Sequence, residues 1–491
     1  MSAASCGLRA LALAGGLALG ACSLEPPYTR PALPVADAYP DGAAAAPGEA
    51  RAAADLGWRA FLLDERLQRL VEAALRNNRD MRVAILNVEA MRAQYLVERS
   101  GLFPQVGASV VGARGRGDLS LFTAGTSVAD VFEAYASVSW ELDLFGQVRS
   151  LAHAALERYL ASVEARKAAQ ILLVSEVATQ YLTLVAADEA MAVTADSLRI
   201  AEESYRLTQL QYAAGTGSEL DLRESEGAVE QARAQLASEQ RAQAQARNAL
   251  VLLLGAPLPP DLPPGRPLNE ALVLADIPAG LPSDLLARRP DIVQAEHELI
   301  AAHADIGVAR AAFFPSISLT GAAGAINPVL GHLLRGGPNA WGIEPGATLP
   351  LFTGGLNTAN LEQAKNRRDI AVAQYEKSIQ TAFREVADGL NARSTYEDQV
   401  AALERQVKAQ LRRLDLARLR YRTGVDSYLT LLVAQNDLNA AQLSLVSTRL
   451  GRLVNLVTLY QDLGGGWIEQ GGASEPSSRS AASGPAAEAM R

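Results

Sequence analysis

The residues best placed to do chemistry stand near the start of the chain, where Leu19-Gly20-Ala21-Cys22 precedes Ser23. A leucine, two small residues and a cysteine form the pattern of a bacterial lipobox. Small side chains let the backbone enter the signal-peptidase cleft, and the thiol takes the lipid. Arg9 and the apolar stretch Ala10 to Leu19 supply the rest of a secretory signal, one too short to span a bilayer. Residues 1–21 are therefore expected to be a lipoprotein signal peptide, Cys22 the lipidation site, and 22–64 an extended, lipid-anchored segment. Ser23, in place of an aspartate, resembles the sorting signal for the outer membrane. Cys6 leaves with the signal, so the mature chain keeps one cysteine and forms no internal disulfide, although it enters an oxidising compartment.

Other candidate groups carry less. The four histidines are His153, His297, His303 and His332. His297 and His303 are six apart on an expected helix, so they do not share a face at metal-binding spacing. Glu296 and Glu298 read as solvated helix charges. Gly336-Gly337-Pro338 and Gly464-Gly465-Gly466 read as turns, since no Lys-Ser/Thr follows to make a phosphate cradle. No catalytic residue, metal or cofactor is expected. The net charge of −9 comes without basic blocks, which disfavours nucleic acid. No apolar run of transmembrane length is expected after the signal, which leaves a lipid tether or a β-barrel as routes to the membrane.

The elements that must position these residues are written twice. Phe103-Pro104 recurs as Phe314-Pro315, Leu142-Asp143-Leu144-Phe145 as Leu349-Pro350-Leu351-Phe352, Tyr212 to Gly215 as Tyr421 to Gly424, and Leu254-Gly255 as Leu463-Gly464. The order and the nearly constant offset mark a duplicated unit. The repeats are placed at 65–255 and 285–467, with a Pro-rich connector at 256–284 and a disordered tail at 468–491. Each repeat reads as a leading helix, two strands, a very long helix, a tight turn and a shorter returning helix. The first leading helix is expected over Glu65 to Leu102 and the first long helix over Gln147 to Tyr212. At 1.5 Å per residue, roughly 65 residues reach about 100 Å. Val400, Leu403, Val407, Leu411 and Leu414 form a seam near coiled-coil spacing. The turns around 213–218 and 422–427 break on glycine, and helices resume at the cap residues Ser218 and Asp426.

Between helices, period-two alternation predicts strands at about 131–143, 316–324 and 341–350, with a weaker one at 106–116. Alternation alone fits a soluble sheet with one wet face as well as a membrane barrel; the lipobox tips the balance to the barrel. Four strands cannot close one. About 8 strands enclose only side chains, so three copies, giving twelve strands, are the smallest assembly with a real bore.

Pro27-Tyr28-Thr29-Arg30-Pro31, Trp58 to Asp80, Ala287-Arg288-Arg289-Pro290-Asp291-Ile292 with Ala295-Glu296, Ala309 to Pro315, Tyr421 to Val425, and Leu463 to Trp467 together resemble the TolC-like outer-membrane factors, in the lipoprotein branch called NodT-type. The resemblance spans about 22 to 467. It implies an α+β, mostly helical chain that trimerises into a 12-stranded membrane β-barrel continuous with a periplasmic α-helical barrel. It implies a periplasmic adaptor and an inner-membrane transporter of the resistance–nodulation–division (RND) type as partners. The helix tips, with Tyr212, Gly215, Thr216, Tyr421, Arg422, Gly424, Val425 and Asp426, look like the adaptor-docking surface. The same end looks like the gate, with Asp221, Leu429, Val433 and Asn436. Many relatives read Leu-Asp-Ala-Gln-Arg after the second tip; Leu432-Val433-Ala434-Gln435-Asn436 stands here, which implies a gate more apolar and less dependent on ion pairs. The expected function is a passive outer-membrane duct for efflux of small molecules. A type I protein-secretion duct and a poreless lipid-tethered coiled-coil scaffold are the alternatives.

Overall fold

The computed structural model describes residues 23–36, 53–116, 128–269, 272–275, 285–333 and 339–469. Cys22, the expected signal peptide, much of the connector and the tail from 470 lie outside the described residues. The chain divides into two compact units, and neither is a repeat. One comprises Met1–Ala32, Leu86–Val163 and Gln294–Lys377; the other comprises Leu33–Ile85, Glu164–Val293 and Ser378–Arg491. Each unit thus draws on both repeats.

The first unit holds one antiparallel sheet, β1 (Gln105–Arg116), β2 (Val128–Leu142), β3 (Ser316–Asn327) and β4 (Asn339–Thr348), in that spatial order. β2 starts earlier and β3 ends later than alternation suggested, because ladder pairing continues through the small residues that blur the hydropathy pattern. Register decides which side chains share a face. Val138 opposes Val106 and Gly321, Trp140 opposes Leu319, and Gly321 opposes Ile343. The apolar sets of all four strands therefore fall on one face, and Ser137, Ser139, Thr320 and Glu344 fall on the other. Trp341, on the apolar face, is 77% exposed.

The helices are α1 (Trp58–Phe61), α2 (Glu65–Asn77), α3 (Arg79–Ser100), α4 (Gln147–Ala213), α5 (Glu219–Leu254), α6 (Leu285–Arg288), α7 (Pro290–Ala311), α8 (Leu356–Arg422) and α9 (Tyr428–Asp462). α4 and α8 each have 67 residues, so each is about 100 Å long. Contrary to the expectation of no transmembrane-length apolar run, one window of α4 is apolar enough by length and composition to cross a membrane, and half of it is buried within the fold. Val174, Val177, Ala178, Tyr181 and Leu182 are core residues there, which accounts for the composition.

The leading helix is not the single rod expected over Glu65 to Leu102. It breaks at Asn78, which leaves helical conformation (ψ 136°), and whose side chain then accepts from Met81 N at 2.8 Å and donates to Leu253 O at 2.9 Å. The second repeat breaks at the matching place, between α6 and α7, at Arg289. Both breaks receive the end of a returning helix. Gly255 (φ 63°) and Gly464 (φ 83°) come so close that a Cβ would stand 2.4 Å from Asn77 O and 2.6 Å from Arg288 O. Only glycine fits there, because it lacks Cβ and tolerates positive φ.

The second break is stabilised by charge. Arg289 is buried and grips Asp291 through two contacts at 3.0 and 2.6 Å, Glu385 at 2.9 Å and the carbonyl of Asp462 at 3.1 Å. Burial, with the charge of Glu385 nearby, pushes the Asp462 carboxyl up to about 7. In the same unit Phe61 stacks on Tyr460 with centroids 4.0 Å apart, and Tyr181 donates to the buried Asp64 at 2.6 Å. Removing the cation would leave Asp291 and Glu385 without compensation. Arg289→Leu is expected to lower stability by about 3–5 kcal/mol, measured as a shift in the urea midpoint; a loss below about 1 kcal/mol would show that the cluster is not what holds this junction.

Candidate functional site

The two helical tips have the same backbone solution. At the first, Gly215 (φ 71°) donates to Tyr212 O at 3.0 Å and Thr216 N to Gln211 O at 2.9 Å. At the second, Gly424 (φ 74°) donates to Tyr421 O at 3.0 Å and Val425 N to Arg420 O at 2.9 Å. An added Cβ would meet nothing at either glycine, so the left-handed conformation alone selects the residue. Ser218 caps α5 as expected, accepting from Leu220 N at 3.1 Å. The expected cap at Asp426 is corrected: Ser427 holds the N-cap position. Asp426 instead accepts from Arg420 Nε at 2.6 Å and Nη2 at 2.9 Å, a two-point ion pair that draws its carboxylate away from the helix start.

The structure brings the tips together. The buried Tyr421 donates its hydroxyl to Gln211 Oε1 at 2.8 Å and meets Tyr428 edge-on at 5.7 Å. Leu414, Ala417, Leu431, Ala434 and Leu438 complete this core, and Leu207 packs against it. Further up, Gln435 reaches Ser204 at 3.0 Å and Ser197 reaches Asn439 at 2.8 Å. Burial, assisted by Tyr421, Glu224 and Asp221, raises the Tyr428 hydroxyl to about 12. Asp221 thus stands near the tyrosine pair.

Leu429, Val433 and Asn436 form an exposed strip on the other side of α9, with Leu429 at 54% and Val433 at 39%. Tyr212, Gly215, Thr216, Arg422, Gly424 and Val425 are exposed, and Asp426 is half-buried. The expected apolar seam on α8 is broken within one chain: Val400 and Leu414 are buried, whereas Leu411 is exposed. Among the described residues, no group of three or more His, Cys, Asp or Glu is arranged to hold a metal.

The first unit contains a second polar constellation that sequence reasoning missed. Glu296, read as a solvated charge, is buried and accepts from Arg30 Nε at 2.8 Å, Arg30 Nη2 at 2.7 Å and Tyr28 Oη at 3.1 Å. Glu298, its neighbour, is exposed as expected. His153 lies between Glu25 at 3.0 Å and Glu157 at 3.6 Å, and His297 meets Glu157 at 2.6 Å. Tyr28 also meets His303 edge-on at 5.6 Å, and Arg310 donates to Leu24 O at 3.0 Å. The segment 23–32 is thereby clasped onto α4 and α7. Gly307 makes room for it, since a Cβ there would sit 2.5 Å from Glu25 Cγ.

With this geometry established, comparison places the chain. The sequence model of the outer membrane efflux protein family matches residues 70–256 and again 281–465. The chain belongs to this family. It is 49% identical over 459 residues to the probable efflux pump outer membrane protein TtgC of Pseudomonas putida, covering 92% of this chain and 94% of that one. It is 45% identical over 465 residues to outer membrane protein OprJ of Pseudomonas aeruginosa, covering 94% and 96%. Its fold is similar to the open-state MtrE outer membrane channel of Neisseria gonorrhoeae, with TM-score 0.83 and 40% identity over 92% of this chain and all of that one.

Within this family member the clasp has a defined charge state. The hydrogen bond with Glu157, then that with Glu25, outweighs burial and raises His153 to about 10. Burial would push Glu157 up, but His153 and His297 bring it down to about 2. His153 is therefore cationic through the neutral range. Its folded pKa is raised, so its contribution to stability is complete below its ordinary 6.5 and is lost as pH climbs towards 10. The thermal midpoint should fall across that window in the wild type. In His153→Gln it should start lower and lose this slope; an equal slope in both proteins would place the pH dependence elsewhere.

Proposed function

We propose that three copies of this chain form the outer-membrane channel of a tripartite efflux pump, a passive duct that carries small molecules across the periplasm and outer membrane. One observation carries this reading. The sheet presents a continuous apolar face across four strands and ends at β1 and β4 with edges that are unpaired among the described residues. In hydrocarbon every backbone N–H and C=O must be paired, and four strands are too few to close on themselves. Identical neighbours supply the rest, and three copies give twelve strands and an aqueous bore. α4 and α8, at about 100 Å each, have the length to line a periplasmic extension. Acylation of Cys22 tethers the chain to the outer membrane, and the clasp at Glu25, Tyr28 and Arg30 fixes the segment that follows.

The tips at Tyr212, Gly215, Thr216, Tyr421, Arg422, Gly424, Val425 and Asp426 are the docking surface for a periplasmic adaptor, which joins the duct to an inner-membrane RND transporter. The names of the efflux relatives favour this over a protein-secretion duct, and the apolar sheet face disfavours a poreless scaffold. The exposed strip of Leu429, Val433 and Asn436 faces the bore and forms the gate, with Asp221 close by.

Detergent-extracted protein should run as a trimer and conduct ions in planar bilayers; a stable, non-conducting monomer would reject the duct. Val433→Asp should add a ring of carboxylates to an apolar gate. Its conductance should then change as pH falls through the carboxylate range, where the wild type changes little. An unchanged pH response would remove Val433 from the gate.

A further inference from the structure

The duplication contains its own template for how one copy meets the next. In the first repeat, Phe145 follows β2 and stacks on Phe314, which precedes β3; their centroids are 4.9 Å apart and the rings are 22° from parallel. β2 and β3 are paired neighbours, so this stack closes the base of the joint between the repeats. The corresponding aromatics in the other half are Phe352, after β4, and Phe103, before β1. Neither is buried: Phe352 is 91% exposed and Phe103 56%. Leu351, beside Phe352, is 89% exposed. The aromatic pair that closes the middle of the sheet is thus matched at its two ends by two aromatics that have no ring partner among the described residues.

We propose that the joint between copies reproduces the β2–β3 joint residue for residue, with Phe352 stacked on Phe103 of the partner subunit and β4 paired to β1 in one specified register. This rests on the homotrimeric reading above and adds the atomic plan of its interface. Phe352 stands 207 positions after Phe145, and Phe103 stands 211 positions before Phe314. Carrying the observed pair Trp140–Leu319 through those offsets sets Ala347 against Ala108 of the partner subunit. The pair Phe132–Asn327 becomes Asn339 against Arg116 of the partner subunit, and Glu141–Ser318 becomes Thr348 against Gly107 of the partner subunit.

Two independent features agree with this register. First, it gives all ten residues of β4 a partner within β1, from Asn339 against Arg116 to Thr348 against Gly107 of the partner subunit. Second, it keeps faces matched: Ile343, Pro345 and Ala347 lie on the face of β4 that meets the apolar face of β3. They fall opposite the positions of β1 that share a face with Phe132, Ala134 and Ala136. A shift by one residue would place apolar side chains on the wet face.

The test uses the full-length lipoprotein in membranes. Ala347 and Ala108 are small and exposed, and the mature wild-type sequence offers only Cys22 as a competing thiol, itself acylated. In an antiparallel pair, directly opposed residues lie ~4.5–5.5 Å apart at Cα, within disulfide range, whereas a two-residue shift takes them out of it. Ala347→Cys with Ala108→Cys should give covalent trimers on mild oxidation. Ala347→Cys with Val106→Cys or Val110→Cys should give little. Phe352→Ala and Phe103→Ala should each lower the temperature at which the trimer dissociates by several degrees, and together by less than the sum. Trimers that cross-link only through a shifted pair, or whose two Phe losses simply add, would overturn this register and stack while leaving the duct intact. Protein that forms no trimer would overturn both.

Discussion

An unpaired peptide group in hydrocarbon costs several kcal/mol, and this one constraint organises the molecule. The chain makes a four-stranded sheet whose inner joints are complete and whose two outer edges are not. A soluble protein would cover or charge such edges. Here the edge strands carry exposed Val106, Val110, Trp341 and Ile343 instead. That is the composition of a surface meant for lipid and for another strand. The internal duplication follows naturally, since a hairpin that needs neighbours on both sides can be supplied by copying it within the chain and again between chains.

The same economy appears in the helices. Each repeat breaks its leading helix and brings the returning helix to the break on a glycine, at Gly255 against Asn77 and at Gly464 against Arg288. Each repeat turns its hairpin tip on a left-handed glycine. The copies differ where their surroundings differ. Asn78 restarts its helix with a neutral amide, whereas Arg289 does so within a buried charge cluster. Ser218 caps its helix by side chain, whereas Asp426 is diverted to Arg420. Divergence between repeats therefore locates the places where identical local geometry serves unlike environments.

Most of this was legible from the residues. The glycine-broken tips, the long uninterrupted helices and the alternation in β2 each depend on local chemistry that spacing reveals directly. What was not legible depended on partners far apart in the chain. Nothing near Glu296 announces that Arg30 will neutralise it, and nothing near Asn78 announces that Leu253 O will arrive there. Both ends of the clasp nevertheless fell inside the motifs that carried the family resemblance, Pro27–Pro31 and Ala295–Glu296. Two motifs distant in sequence are often one contact in space, and reading them as a pair would have found it. The cap at Asp426 failed for a different reason: a side chain suited to capping had a stronger, charged partner six residues back.

Bonding is distributed unevenly between the sheet and the helical tips. The sheet is a continuous ladder along strands of ten to fifteen residues, so local opening there would expose many peptide groups at once. The clasp at Glu296 and the junction at Arg289 are charge-assisted, and the junction at Asn78 rests on two hydrogen bonds of a buried amide. At the tips the polar ties are few: Tyr421 to Gln211, Ser204 to Gln435, Ser197 to Asn439. Each is a neutral hydrogen bond worth about 0.5–1.5 kcal/mol net, because water offers the same groups comparable partners. The Arg420–Asp426 pair lies within its own hairpin and moves with it. Segments that move are drawn from the weakly tied parts of a structure, and in the exposed strip of α9 only Asn436 carries a polar side chain, whereas Leu429 and Val433 carry none.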